Sequence, residues 1–271
     1  MSRALPARSL GPVEGTSSAT VVRLRAAWRE AVLRAPGLGR RQILVNEFPK
    51  SGGTWLCRML RDVTGRQFAD NNIPMAIDGI IKQHSIRSYP ADRRILVWRD
   101  PRDVMVSLYY HCFFVHQDYP FNAVAVERAR NRYQFEDYDA VAENLECFAM
   151  DQFVRPLTPP FTINDFGETW VGETDAVHVR YEDLRANTST VLEGIVAELD
   201  LPVVTDPTSV AKAHSLAAHG SSSTAPQQRT FVRRGKVGGF ADEMSSDLAL
   251  RIYDACGPWV TALGYKRNFE S

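Results

Sequence analysis

Short apolar runs alternate along this chain with segments in which hydrophobic residues recur at three- and four-residue spacing. Ile43–Val45, the piece Gly79–His84, Ile95–Trp98, and a stretch from Asp175 ending in Tyr181-Glu182-Asp183-Leu184 read as strands. After the first, Trp55, Leu56, Met59 and Leu60 predict a helix that opens near Gly53 or Thr54 and runs to about Gly65. Val22, Leu24, Ala27, Trp28 and Leu33 predict an outer helix over 21–33, ended by Pro36-Gly37. Asp100 as N-cap and Pro101 mark another helix start, with Val104 and Leu108 one turn apart. Further helices are predicted over 123–133, 140–153, 189–199 and 207–219, and an amphipathic one through Leu248, Ile252 and Tyr253. Residues 68–75 read as loop. Such strand–helix alternation predicts an α/β fold, a central parallel sheet flanked by helices.

The junction after the first strand carries chemistry. Pro49 ends the ladder, and Lys50-Ser51-Gly52-Gly53-Thr54 makes a small glycine-bearing turn into the helix. Backbone N–H groups at a helix N-terminus face an anion, and Lys50 adds a full positive charge, so the turn is a phosphate cradle. It is not a Walker A loop, because Leu44 and Pro49 stand where that pattern needs glycines. Lys82 and His84, two apart on an extended segment, point to one side at a strand end, where open α/β sheets face their ligand. Arg99, before a helix, and Ser107, in its second turn, converge on one anion. Arg229–Phe240 packs four cations and three glycines into twelve residues, a composition suited to a loop folding over a phosphate.

The bulk numbers narrow the partners. At 271 residues, 44% hydrophobic and 24% charged, the chain has an ordinary globular composition. Its formal net charge is zero, which argues against a generic nucleic-acid binder and requires any anion site to arise from local placement. Cys57, Cys112, Cys147 and Cys256 are scattered without metal-ligand spacing, which fits a reducing cytoplasm. No transmembrane run or secretory signal is visible, and residues 1–20 read as a disordered leader before one domain over 21–271. Aromatics crowd 109–155, mostly as core, with some available to line an acceptor pocket; His111 and His116 among them are structural or substrate-side.

Phe48-Pro49-Lys50-Ser51-Gly52-Gly53-Thr54-Trp55 resembles the 5′-phosphosulfate loop of sulfotransferases that use 3′-phosphoadenosine 5′-phosphosulfate (PAPS), with Gly53 where a Thr or Ser hydroxyl is common. Arg99 to Ser107 resembles the family's 3′-phosphate motif with its spacing kept. Tyr181-Glu182-Asp183-Leu184 is the family's own tetrapeptide, and Arg233-Arg234-Gly235 resembles its C-terminal clasp with Arg234 for Lys. The resemblance spans residues 43–240 and implies the nucleotide-kinase-like fold of that family. It implies His84 as general base, Lys50 and Lys82 as charge stabilisers, and Ser51, Gly52, Gly53 and Thr54 on the 5′-phosphate. Trp55 and Tyr181 fall to adenine; Arg99, Ser107, Arg233, Arg234 and Gly235 fall to the 3′-phosphate.

The implied reaction moves a sulfuryl group from PAPS to a hydroxyl or amine of a small-molecule, carbohydrate or natural-product acceptor, releasing adenosine 3′,5′-bisphosphate without a metal. Two rivals stand beside it. A Mg-dependent nucleotide kinase or other P-loop phosphotransferase would use Asp100 as metal ligand; a non-catalytic nucleotide-binding module would not need His84. The dimer signature Lys-x-x-x-Thr-Val of the animal cytosolic enzymes is not evident after Phe240.

Overall fold

A computed structural model describes residues 19–68, 78–114, 122–215 and 235–268. Residues 1–18 of the expected leader, the loop over 69–75, His116, and the cationic residues Arg229, Arg233 and Arg234 lie outside the described residues, while Ala19 and Thr20, expected in the leader, begin the first helix. The described residues open with α1 (Ala19–Arg34) and a single turn, α2 (Pro36–Gly39). It continues through β1 (Ile43–Glu47), α3 (Gly53–Thr64), β2 (Ile80–Gln83), β3 (Arg93–Trp98) and α4 (Pro101–Phe113). Next come α5 (Ala123–Arg132), α6 (Val141–Gln152), α7 (Ile163–Trp170), β4 (Val177–Arg180), α8 (Tyr181–Ala186), α9 (Thr188–Glu198) and α10 (Pro207–Ala213). A 3-10 turn (Gly239–Asp242), α11 (Ser246–Ala255) and α12 (Pro258–Ala262) end it.

The strands form an all-parallel sheet in the order β2-β1-β3-β4. The central strands β1 and β3 are buried almost throughout, on both faces, whereas the outer strands β2 and β4 are buried only in part. On β3, Leu96 and Trp98 enter a core built with α4, α6, α7, α11 and α12, while Ile95 and Val97 enter a second core with α3, α9 and α10. Successive side chains alternate across the sheet, so one strand supplies both layers. The parallel direction sets all strand C-termini on one edge, where β1 leads to Lys50, β2 to His84, β3 to Arg99 and β4 to Tyr181.

Two local readings change. The strand before Tyr181 ends at Arg180, and the Tyr-Glu-Asp-Leu tetrapeptide is the first turn of α8. Glu182 and Asp183 suit that position because acidic side chains oppose the positive end of a helix. β1 extends two residues beyond its apolar run, because Asn46 and Glu47 are buried with internal partners.

Candidate active site

The cradle is built by backbone geometry first. Gly52 is the N-cap of α3 at φ 102°, and Lys50 before it is also left-handed at φ 76°. A Cβ on Gly52 would meet the Tyr181 ring at 2.6 Å, so glycine is required by both backbone and neighbour. The Ser51 N–H closes the turn on the Phe48 carbonyl (3.2 Å), and its side chain is buried. Lys82 reaches across from β2 and donates to Thr54 Oγ1 at 2.9 Å.

Glu47, at the end of β1, was not foreseen. Its carboxylate is buried, accepts from the Gly53 N–H at 2.5 Å and lies 3.6 Å from Lys82 Nζ. A Cβ on Gly53 would fall 2.6 Å from its carboxyl carbon. The departure at Gly53 is thus the space that Glu47 fills. Two polar residues closing an otherwise apolar strand just before the cradle were the available signal.

His84 stands directly after β2, its Nδ1 2.9 Å from the Glu47 carbonyl oxygen. Only an Nδ1–H can donate to a carbonyl, so the neutral ring carries its proton there and leaves Nε2 as the basic nitrogen. The next residue is clamped: Ser85 N–H donates to Asn46 Oδ1 (3.0 Å), and Asn46 Nδ2 and the Trp170 indole both donate to the Ser85 carbonyl (2.8 Å each). Burial, reinforced by Lys82, pushes the His84 imidazole down to about 4. The same two causes, burial and then Lys82, push the Lys50 ammonium down to about 7, with Arg99 adding to the effect and Glu47 opposing it.

The second anion motif sits alongside. Arg99 donates to the Lys50 carbonyl (3.1 Å) and lies over the Tyr181 ring, 4.4 Å from its centroid. Ser107 is part-buried on α4. Asp103 is buried; it accepts from the Gly238 and Phe240 N–H groups at 2.9 Å each, fastening the glycine-rich C-terminal segment to α4. Gly235 is held from the other side, its carbonyl accepting from Tyr181 Oη (3.2 Å) and Arg185 Nε (3.1 Å). Trp55 meets Tyr181 edge-on, carries Arg185 over its ring and donates to the His214 carbonyl. His111 lies apart, lining a cavity of about 270 Å³ with Asn122, Arg128 and Leu157.

Asp100 is fully engaged. Its carboxylate caps α4 through the Arg102 N–H and takes the buried Arg102 guanidinium on both oxygens, at 2.9 and 2.6 Å. A metal ligand would have to break that pair, which removes the geometric basis of the kinase alternative.

The parallel sheet, the helix-capped cradle and the Arg99–Ser107 strand-to-helix junction form one assembly, and the family model "Sulfotransferase domain" matches residues 84–264. The chain belongs to the sulfotransferase family. That match begins at His84 and leaves the cradle to its left, so the loop's assignment rests on its own geometry. Among solved structures, mouse sulfotransferase SULT7A1 complexed with PAP aligns over 87% of this chain and 96% of its own at 14% identity and TM-score 0.54. Retinol dehydratase with androsterone and inactive cofactor PAP aligns over 86% and 85% at 12% identity and TM-score 0.57. Its complex with retinol and PAP aligns over 90% and 88% at 11% identity and TM-score 0.56. No curated protein matches the chain. The PAPS-dependent sulfuryl transfer implied by the sequence motifs is the reaction of this family. Among the described residues, no helix of this sulfotransferase is long and apolar enough to cross a membrane.

Proposed function

We propose that this sulfotransferase holds PAPS between the cradle and the Arg99–Ser107 junction, and that His84 takes the proton of a hydroxyl or amine on a small-molecule, carbohydrate or natural-product acceptor. The observation that carries the reading is the His84 Nδ1 contact with the Glu47 carbonyl, which presents a neutral imidazole with Nε2 basic beside Lys82. The residues fit the nucleotide. Gly52 and Thr54 stand at the positive end of α3, and Arg99 stands beside Tyr181. PAPS, when bound, supplies an activated sulfuryl group on a phosphate leaving group.

The chain's part is positioning and charge. Lys50 and Lys82 neutralise oxygens that gain charge as the sulfur–oxygen bond breaks. The low His84 pKa keeps the ring neutral across physiological pH, so no proton need leave it before reaction. Arg99, Ser107 and Gly235, with Arg233 and Arg234, select the 3′-phosphate; Trp55 and Tyr181 flank the adenine.

His84→Ala tests the reading. Turnover is expected to fall at least ~100-fold, the lower end of the range for general base catalysis, while calorimetric affinity for adenosine 3′,5′-bisphosphate without Mg²⁺ stays within about twofold. Unaltered turnover would remove His84 from the chemistry. Preference for ATP with Mg²⁺ over the 3′,5′-bisphosphate would overturn the donor site itself.

A further inference from the structure

An anion-binding cradle ordinarily gathers positive charge, yet this one contains a buried carboxylate. Glu47 is 3% exposed at the side chain, engages the first N–H of α3 and lies 3.6 Å from the Lys82 ammonium. Lys82 is shared between that carboxylate and the Thr54 hydroxyl. The charged and titratable groups acting with Glu47 are therefore Lys50 from the turn after β1, and Lys82 and His84 from the end of β2. No anion can take the Gly53 N–H while Glu47 holds it, and Gly53 supplies the room that keeps Glu47 there.

We propose that Glu47 is a resident counter-anion of the cradle, which competes with the nucleotide's 5′-phosphate for the Gly53 N–H and for Lys82 and so weakens retention of the product. The proposal rests on the reading that the nucleotide occupies this cradle. Without nucleotide the carboxylate stabilises two clustered lysines that would otherwise repel. With nucleotide present it places like charge beside the phosphate. At an effective dielectric of about 20, a unit pair roughly 6 Å apart alters binding by about two powers of ten. Compensation by Lys82 reduces this, and the net effect expected is about tenfold.

Calorimetric titration of the full chain with adenosine 3′,5′-bisphosphate at pH 6 tests it, a pH at which Lys50 is mostly charged. Glu47→Gln keeps the size and one acceptor oxygen for the Gly53 N–H and removes the charge; it should bind the nucleotide about tenfold more tightly than wild type. Glu47→Asp, which retains charge, should stay within about threefold of wild type. A packing or lysine-orienting role predicts the opposite sign, so unchanged or weaker binding by a folded Glu47→Gln overturns the proposal. If Glu47→Gln does not fold, Glu47→Thr gives the same charge comparison, with the same outcomes. Lys50→Ala separates the two levels of inference. If it leaves binding intact, the cradle reading fails; if it weakens binding while Glu47→Gln does not tighten it, only the role of Glu47 fails.

Discussion

Lys50 makes donor binding a function of pH in a direction fixed by its surroundings. Its ammonium is pushed from 10.5 down to about 7 by burial, then by Lys82. The charged form is the one that binds phosphate, so affinity is fully present below pH 7 and is lost as pH rises through and above it. Bound phosphate restores the proton, which raises the lysine's pKa back toward its ordinary value. Between pH 7.5 and 9.5 each unit therefore removes about tenfold in affinity, ~1.4 kcal/mol, or about a hundredfold across the window. The nucleotide's phosphates lose their second proton with a pKa of ~6, so they contribute little across this window. The assay is calorimetry with adenosine 3′,5′-bisphosphate at pH 7.5, 8.5 and 9.5, in paired buffers of different ionisation enthalpy. Close to one proton should be taken up per nucleotide at pH 8.5, and Lys50→Arg should flatten the profile because guanidinium stays charged. Equal wild-type affinity at pH 7.5 and 9.5, with no proton uptake, would refute the reasoning.

Two further substitutions probe the supports of the site. Asp103→Ala strips the acceptor from two buried N–H groups at Gly238 and Phe240, at ~1–3 kcal/mol each. The thermal midpoint should fall, and calorimetry should show the preference for adenosine 3′,5′-bisphosphate over AMP shrinking as the C-terminal segment loosens. Asn46→Ala removes both side-chain bonds to the Ser85 backbone. Steady-state kinetics should show kcat down about tenfold with nucleotide affinity held, since a displaced base slows proton transfer without touching the cradle.

The parts of the site legible in the sequence are those where a few consecutive residues contain the whole device. Pro49 to Trp55 spells a strand end, a turn and a helix start, and Arg99 to Ser107 does the same. Alternating runs were enough to predict the parallel sheet. Pairings between residues far apart in the chain were not legible. Asn46 meets Ser85 39 residues on, and Asp103 meets Gly238 and Phe240 more than 130 residues on. Nothing local marks them except a polar residue in a buried setting. The Tyr181 tetrapeptide misled for a related reason: Tyr181 and Leu184, three apart, both face inward, a spacing compatible with a helix turn that was read as the tail of the strand.

The left-handed backbone at Lys50 sets protein robustness against usefulness at one position. An L-residue there carries roughly 1–2 kcal/mol of conformational strain that glycine would not. The strained residue also holds a poorly hydrated ammonium. Selection for stability alone would discard this lysine. A lineage freed from the need to sulfate anything should lose it early, whereas Gly52, caught between a positive φ and the Tyr181 ring, would persist for the fold's sake.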